Sequence, residues 1–326
     1  LLCTSLASAD TPRVVTIIHG EATLSAVGDR AYAVNRARGI GRDSDGAGIA
    51  AATFSHTALA AALASPCRVA HLICLETPTA AHLALIDAFL KRGGKLVVHY
   101  SPSAALAKRF GLGEPKLLGP VTAPWTGFAF GATRPLHAPP RVDTATRRVL
   151  GPASQTEAVR VLARWTAPSG EPGPAAVFET PHGYWMSAML GGDGDAVLRQ
   201  RFLAAITAKL CPEVWRHAAK RLDREVWGIV GASTFEEAEA GLRRAAGRER
   251  AAHLEDYLAT LRRLETLKRR DFDRGLFGAG IAKLWDMREP LVCAYATAHR
   301  LHLDHEVVAA WDPSGAGLHP GDWAGT

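Results

Sequence analysis

No stretch of the sequence reaches the roughly 18 uninterrupted apolar residues that a membrane-spanning helix requires, so no membrane span is expected. Cysteine is scarce. The sequence holds five, and with Cys3 set aside, Cys67, Cys74, Cys211 and Cys293 are too few and too scattered for a disulfide framework in 326 residues. Cys74 and Cys293 stand in apolar runs, where a free cysteine behaves as a small buried hydrophobe. Glycine (31) and proline (19) stay near ordinary usage, which excludes collagen-like and linker-like composition. The basic residues gather only between Arg243 and Arg270, with neither stacking aromatics nor a groove-reading motif beside them. The net charge of +6 is therefore read as a solvated helix face, and nucleic acid is not an expected partner. No internal repeat is found.

What is present is ordinary globular composition. With 48% hydrophobic and 21% charged residues, the chain can bury a sizeable core, and its length suits two domains. Leu1 to Ala9 (LLCTSLASA) has the apolar run and small-x-small site of a secretory signal remnant, which predicts a secreted or periplasmic protein. A ragged start of a cytosolic protein is the alternative.

Arg13 to Ile18 (RVVTII) is a β-branched run of the kind buried on both faces of a parallel sheet. Asp29 to Arg38 reads as a helix, Gly39 to Gly48 as a glycine-rich loop, and Gly48 to Phe54 as a second strand before a helix to about Leu63. The clearest unit is βαβ: a strand at Arg68 to Leu75, a helix at Thr79 to Arg92 ended by Gly93-Gly94, and a strand at Lys95 to Tyr100. A short helix, Ser103 to Phe110, leads into irregular strands and loops from Pro115 to Pro152. Strands are then expected at Val159 to Thr166, Ala175 to Glu179 and Tyr184 to Leu190, the last two joined by a turn at Thr180-Pro181-His182-Gly183. A helix from Asp195 to Cys211 closes this part.

From Glu236 the pattern is helical. Leu254, Tyr257, Leu258, Leu261 and Leu264 make one seam, and Ile281, Leu284, Trp285, Val292 and Tyr295 another, with Pro290 expected to kink the second helix.

Four stretches invite a chemical reading. Gly39 to Gly48 (GIGRDSDGAG) resembles a phosphate loop in composition, yet it does not follow the first strand directly and lacks a G-K-[ST] ending. Cys74 ends a strand where an amidotransferase nucleophile would stand, but Ile73 and Leu75 flank it where a nucleophile elbow needs small residues. His299, His302 and His305, with Asp304, have imidazoles for a metal, but at a spacing that spreads them around a helix, so no metal is expected. His19, Glu21 and His99 lie at strand ends, and with Glu76 they suggest a small-ligand crevice at His19, Glu21 and Glu76. No cofactor is expected.

The α/β part, with KRGGKLVVHYSPS, ALAKRFGLGEP and PHGYWMSAMLGGD before a helix ending CPEVW, resembles the degenerate class I glutamine amidotransferase-like domain of bacterial family 10 glycosyl hydrolase-like proteins. EVVAAWDPSGAGLHPGDW, within Glu306 to Thr326, resembles the first strand and loop of the barrel such proteins carry next. The resemblance implies a flavodoxin/amidotransferase-like α/β fold: a mostly parallel sheet with antiparallel edge strands, an α-helical spacer, and the first strand of a truncated (β/α)8 barrel. The implied division is a signal remnant at 1–9, the amidotransferase-like domain at 10–215, the spacer at 216–300 and the start of the barrel at 301–326. The first domain would be non-catalytic, and glycan hydrolysis would belong to carboxylates of the barrel. Trp311, Asp312 and Trp323 would then contact a carbohydrate substrate. The alternatives are a carbohydrate or small-ligand binding module and, last, an amidotransferase-type enzyme using Cys74.

Overall fold

A computed structural model of the chain describes residues 14–24, 26–64, 66–118, 124–191 and 194–299. The chain divides into two compact units, one formed by residues up to Asp45 with Ile49–Pro212, the other by Gly46–Gly48 with the chain from Glu213 onward. Among the described residues no helix is long and apolar enough to cross a membrane.

The first unit is α/β. Its elements are β1 (Val15–His19), α1 (Val27–Gly46), β2 (Ala51–Ser55), α2 (Leu59–Ala62), β3 (Val69–Ile73), α3 (Ala80–Lys91), β4 (Lys95–His99) and α4 (Ala104–Arg109). There follow β5 (Pro115–Leu117), β6 (Trp125–Phe130), β7 (Arg141–Thr146), β8 (Leu150–Pro152), β9 (Arg160–Thr166), β10 (Pro172–Thr180), β11 (Gly183–Met186) and α5 (Ala196–Leu210). Nine strands form one sheet in the order β2-β1-β3-β4-β11-β10-β9-β6-β7, and β5 pairs with β8 separately. Strands β2, β1, β3, β4 and β11 run parallel, and from β11 onward every pairing is antiparallel.

Burial on both sheet faces explains the unbroken apolar strands. Ile18, Leu72, Val98 and Trp185 face a core completed by Ile86 and Phe89 of α3 and by Leu106 of α4. On the opposite face, a Cβ at Gly41 of α1 would sit 3.7 Å from Ile17, and Thr207 of α5 lies 3.5 Å from His71. That face also holds a fully buried pair, His71 and His99, whose Nδ1 and Nε2 share a hydrogen bond of 3.1 Å. Desolvation lowers the His71 pKa to about 4.

The βαβ unit lies where the sequence places it, with Thr79 capping α3 through its side chain. The glycine-rich stretch does not. Gly39 to Gly46 continues α1, because Ala33, Ala37, Ile40 and Ser44 recur at helical spacing and are all buried. Packing of that stripe outweighs the roughly 1 kcal/mol that each interior glycine costs. The antiparallel part is also larger than expected. The region read as irregular supplies β6 and β7, with Phe128 and Val142 fully buried and paired with each other across the two strands. The strand expected at Tyr184 to Leu190 stops at Met186, and its turn at residues 181–182 forms the β10–β11 hairpin.

The second unit is helical: α6 (Glu213–Gly228), α7 (Phe235–Asp273) and α8 (Phe277–His299). Leu254, Leu258, Leu261 and Leu264 of α7 are buried, as the seam predicts. Helix α7 is interrupted at Gly247 (φ 61°, ψ −168°), a backbone region that glycine alone enters readily. Pro290 lies inside α8, which continues through it to His299. A Cβ on Gly280 would fall 2.1 Å from the Phe272 ring, so glycine is what lets α8 start against the end of α7.

Candidate functional site

The parallel strands end together at His19, Ser55, Ile73, His99 and Met186, and the sheet order reverses at β1, whose neighbours are β2 and β3. Open α/β sheets hold ligands in the crevice outside such a reversal. Here the loops after β1 and β3 meet instead. Gly20 N–H donates to the Ile73 carbonyl at 2.8 Å, and a Cβ on Gly20 would lie 2.4 Å from the Cys74 carbonyl oxygen. Thr23 fills the seam, its hydroxyl donating to Gly20 O at 2.6 Å and accepting from Glu76 N–H at 3.1 Å.

On the β1–β2 side of that seam is a polar cluster centred on Glu21. Its carboxylate accepts hydrogen bonds from His19 Nδ1 and from the Ser55 hydroxyl, the latter at 2.6 Å. His56 Nδ1 stands 3.8 Å away, and His82 meets the His56 ring edge-on at 5.3 Å between centroids. Burial works against the Glu21 charge, but the hydrogen bonds from Ser55 and His19 prevail and hold its pKa below the usual carboxylate value. Burial likewise lowers the His56 pKa.

On the β3–β4 side lies a cavity of about 450 Å³. Cys74 and Tyr100, each the residue just after its strand, both have φ of 51° and both line it. Helix α1 contributes Asp29, Tyr32 and Arg36, the loop after β3 Glu76, and the loop after β7 Arg147 and Arg148. The Arg36 guanidinium sits 4.8 Å over the Tyr32 ring, and Tyr32 remains 42% exposed. No ion pair among the described residues engages Asp29, Arg36, Glu76, Arg147 or Arg148.

The left-handed backbone at Cys74 shows that the strained strand-end turn forms without small neighbours, against the sequence-based expectation. The thiol is nevertheless unsuited to attack. Burial, then the nearby Glu76 and Asp29 carboxylates, push its pKa up to about 12, and the thiol donates to Met189 Sδ at 3.6 Å. No histidine lines the cavity among the described residues. Burial and then Asp29 raise the Glu76 pKa against the opposing pull of Arg148, and burial raises that of Tyr100. Among the described residues no group of three or more His, Cys, Asp or Glu is placed to hold a metal ion.

Of the expected crevice residues, His19 and Glu21 fall into the closed cluster, and Glu76 alone lines the cavity. They do not form one site, because the Gly20–Cys74 backbone contact and Thr23 lie between them. His99 is fully buried beneath the sheet surface. Trp311, Asp312 and Trp323, with His302, Asp304 and His305, lie outside the described residues. Tyr32, Arg36, Tyr100 and Arg148 were not singled out from the sequence. The signal that could have found Tyr100 is its place directly after the strand paired with the one Cys74 follows.

No family model matches the chain, and no curated protein matches it. The solved structures that the chain matches include a ThuA-like protein from Bacteroides uniformis, at 13% identity and a TM-score of 0.43, over 65% of this chain and 93% of that one. An alpha-L-fucosidase isoenzyme 2 from Paenibacillus thiaminolyticus matches at 15% identity and a TM-score of 0.44, over 61% of this chain and 33% of the enzyme. A GH42 beta-galactosidase from G. stearothermophilus matches at 13% identity and a TM-score of 0.43, over 61% of this chain and 30% of the enzyme. The chain thus spans about a third of the two glycosidases.

Proposed function

We propose that the first unit is a non-catalytic carbohydrate-binding module of a secreted glycoside hydrolase-like protein, and that the sugar occupies the cavity at the ends of β3 and β4. The observation that carries this reading is the strained backbone at Cys74 and Tyr100, two adjacent strand ends opening on the same cavity. Each such conformation costs on the order of 1–3 kcal/mol, and strain of this kind concentrates at ligand sites. The lining suits a polyhydroxylated ligand. Carboxylates and guanidiniums offer paired acceptors and donors to neighbouring hydroxyls, and an exposed tyrosine ring offers a face for the apolar side of a pyranose.

Catalysis is assigned elsewhere. The Cys74 thiol, kept protonated by its burial, speaks against the amidotransferase alternative, and hydrolysis belongs in this proposal to a barrel beginning at 301–326, with Trp311, Asp312 and Trp323 contacting the glycan. The test is a thermal-shift and calorimetric screen of residues 1–326 against mono- and oligosaccharides. At least one sugar is expected to raise the melting temperature, with the shift lost in Tyr32→Ala, whose side chain is 42% exposed and whose unliganded melting temperature is expected to match the wild type. Absence of a shift with every sugar overturns the reading. So does glutaminase activity that disappears in Cys74→Ala.

A further inference from the structure

The charged groups around the cavity are unequal in number. Three arginines, Arg36, Arg147 and Arg148, line it with two acidic residues, Asp29 and Glu76. None of the five is engaged in an ion pair among the described residues. Some charges elsewhere in the first unit do pair. Arg109 grips Asp87 through two hydrogen bonds of 2.6 and 2.8 Å, and Arg199 meets Asp43 at 2.9 Å. The cavity lining carries unpaired charge with an excess of positive sign.

From this imbalance we propose that the ligand is an acidic sugar, a uronic acid or an oligosaccharide containing one, with its carboxylate held by Arg148 and Arg36. The inference rests on the reading of the cavity as a sugar site and narrows it. A planar carboxylate matches the paired N–H groups of a guanidinium, which a lone hydroxyl does not. Arg36 is steadied by its position over the Tyr32 ring, so less side-chain freedom is lost when it engages a ligand. Asp29 and Glu76 are left for the hydroxyls. Glu76 holds its proton more tightly than an ordinary glutamate, because of its burial and the nearby Asp29.

The decisive comparison is between sugars that differ only at one carbon. Glucuronate and galacturonate are titrated calorimetrically against glucose and galactose, on residues 1–326 at low and at physiological salt. The expected result is at least tenfold tighter binding of a uronate than of its neutral parent, with an advantage that shrinks as salt rises. Arg148→Met is expected to weaken the uronate at least tenfold more than it weakens the neutral parent, so that the advantage disappears. Arg148 is exposed, and an unchanged melting temperature verifies that the variant folds.

Equal binding of a uronate and its parent overturns the inference and leaves the sugar reading standing. Binding of acetate or inorganic phosphate as tight as that of the uronate overturns both, since a plain anion site is then present. Silence from all the sugars overturns both as well.

Discussion

The two polar clusters at the carboxyl edge of the sheet contain similar residues arranged to opposite ends. Around Glu21 the groups satisfy one another: Ser55 and His19 donate to the carboxylate, and its pKa falls. Around Glu76 the groups face a cavity without pairing, and its pKa rises. A carboxylate stabilised by its neighbours is part of the structure. One held among unpaired charges beside a cavity is available to a ligand, and residue type alone does not tell the two apart.

The harshest way to break the comparison is to force the clusters apart. Gly20→Ala places a methyl group 2.4 Å from the Cys74 carbonyl, backbone against backbone, where no side chain can yield. Overpacking of this kind costs about 1–3 kcal/mol, and chemical denaturation is expected to show a loss at the upper end of that range together with weakened ligand binding. Melting of Gly20→Ala at the wild-type temperature would show that the contact is not a constraint.

A smaller loss is expected at the satisfied cluster. Glu21→Ala strips a charged acceptor from His19 and Ser55 and should cost about 1.5–3 kcal/mol, with sugar affinity unchanged in calorimetry. The pH dependence separates the two glutamates by sign. Because the folded-state pKa of Glu21 is lowered, its contribution is full above the ordinary value of 4.5 and is lost as the pH falls below it. Because that of Glu76 is raised, its charge opposes folding at neutral pH, and acidification toward 4.5 relieves the cost. Stability measured from neutral pH downward should therefore fall less steeply in Glu21→Gln than in the wild type. In Glu76→Gln a small gain on mild acidification should vanish.

The smallest effect on stability belongs to Glu76→Gln itself, within about 0.5 kcal/mol at neutral pH. Its sugar affinity should nonetheless change severalfold. A variant that unfolds more readily but binds normally would move Glu76 into the structural class.

The parts of the fold legible in the sequence were those where one local pattern decides. The β3–α3–β4 unit has apolar runs, a side-chain cap at Thr79 and a stop at Gly93, and each signal lies within a few residues of the structure it dictates. From the sequence alone α1 ends near Arg38, because its glycines argue locally for a loop, whereas the buried stripe of Ala37, Ile40 and Ser44 is a tertiary fact. Strands β6 and β7 are short and joined through proline-containing loops, so their alternation is faint, and pairing with β9 supplies what the local signal lacks.

The cavity is harder still. Its residues come from α1, from two strand ends and from the loop after β7, so Tyr32 and Arg148 are 116 positions apart in sequence. Only the crossovers bring them together. Glu76 was singled out for its place after a strand, and His19 and Glu21 for the same reason. That rule locates the edge of the sheet correctly and is silent on which side of the Gly20 seam a residue falls.

The left-handed backbone at Cys74 and Tyr100 inverts the usual ranking of residues. In an ordinary extended segment glycine is the weakest choice, but at these two positions it is the least strained, with asparagine next. A library of variants selected only for thermal resistance should therefore drift toward glycine at 74 and 100. One selected for ligand retention should keep the side chains that line the cavity, and the gap between the two outcomes measures what the site costs the fold.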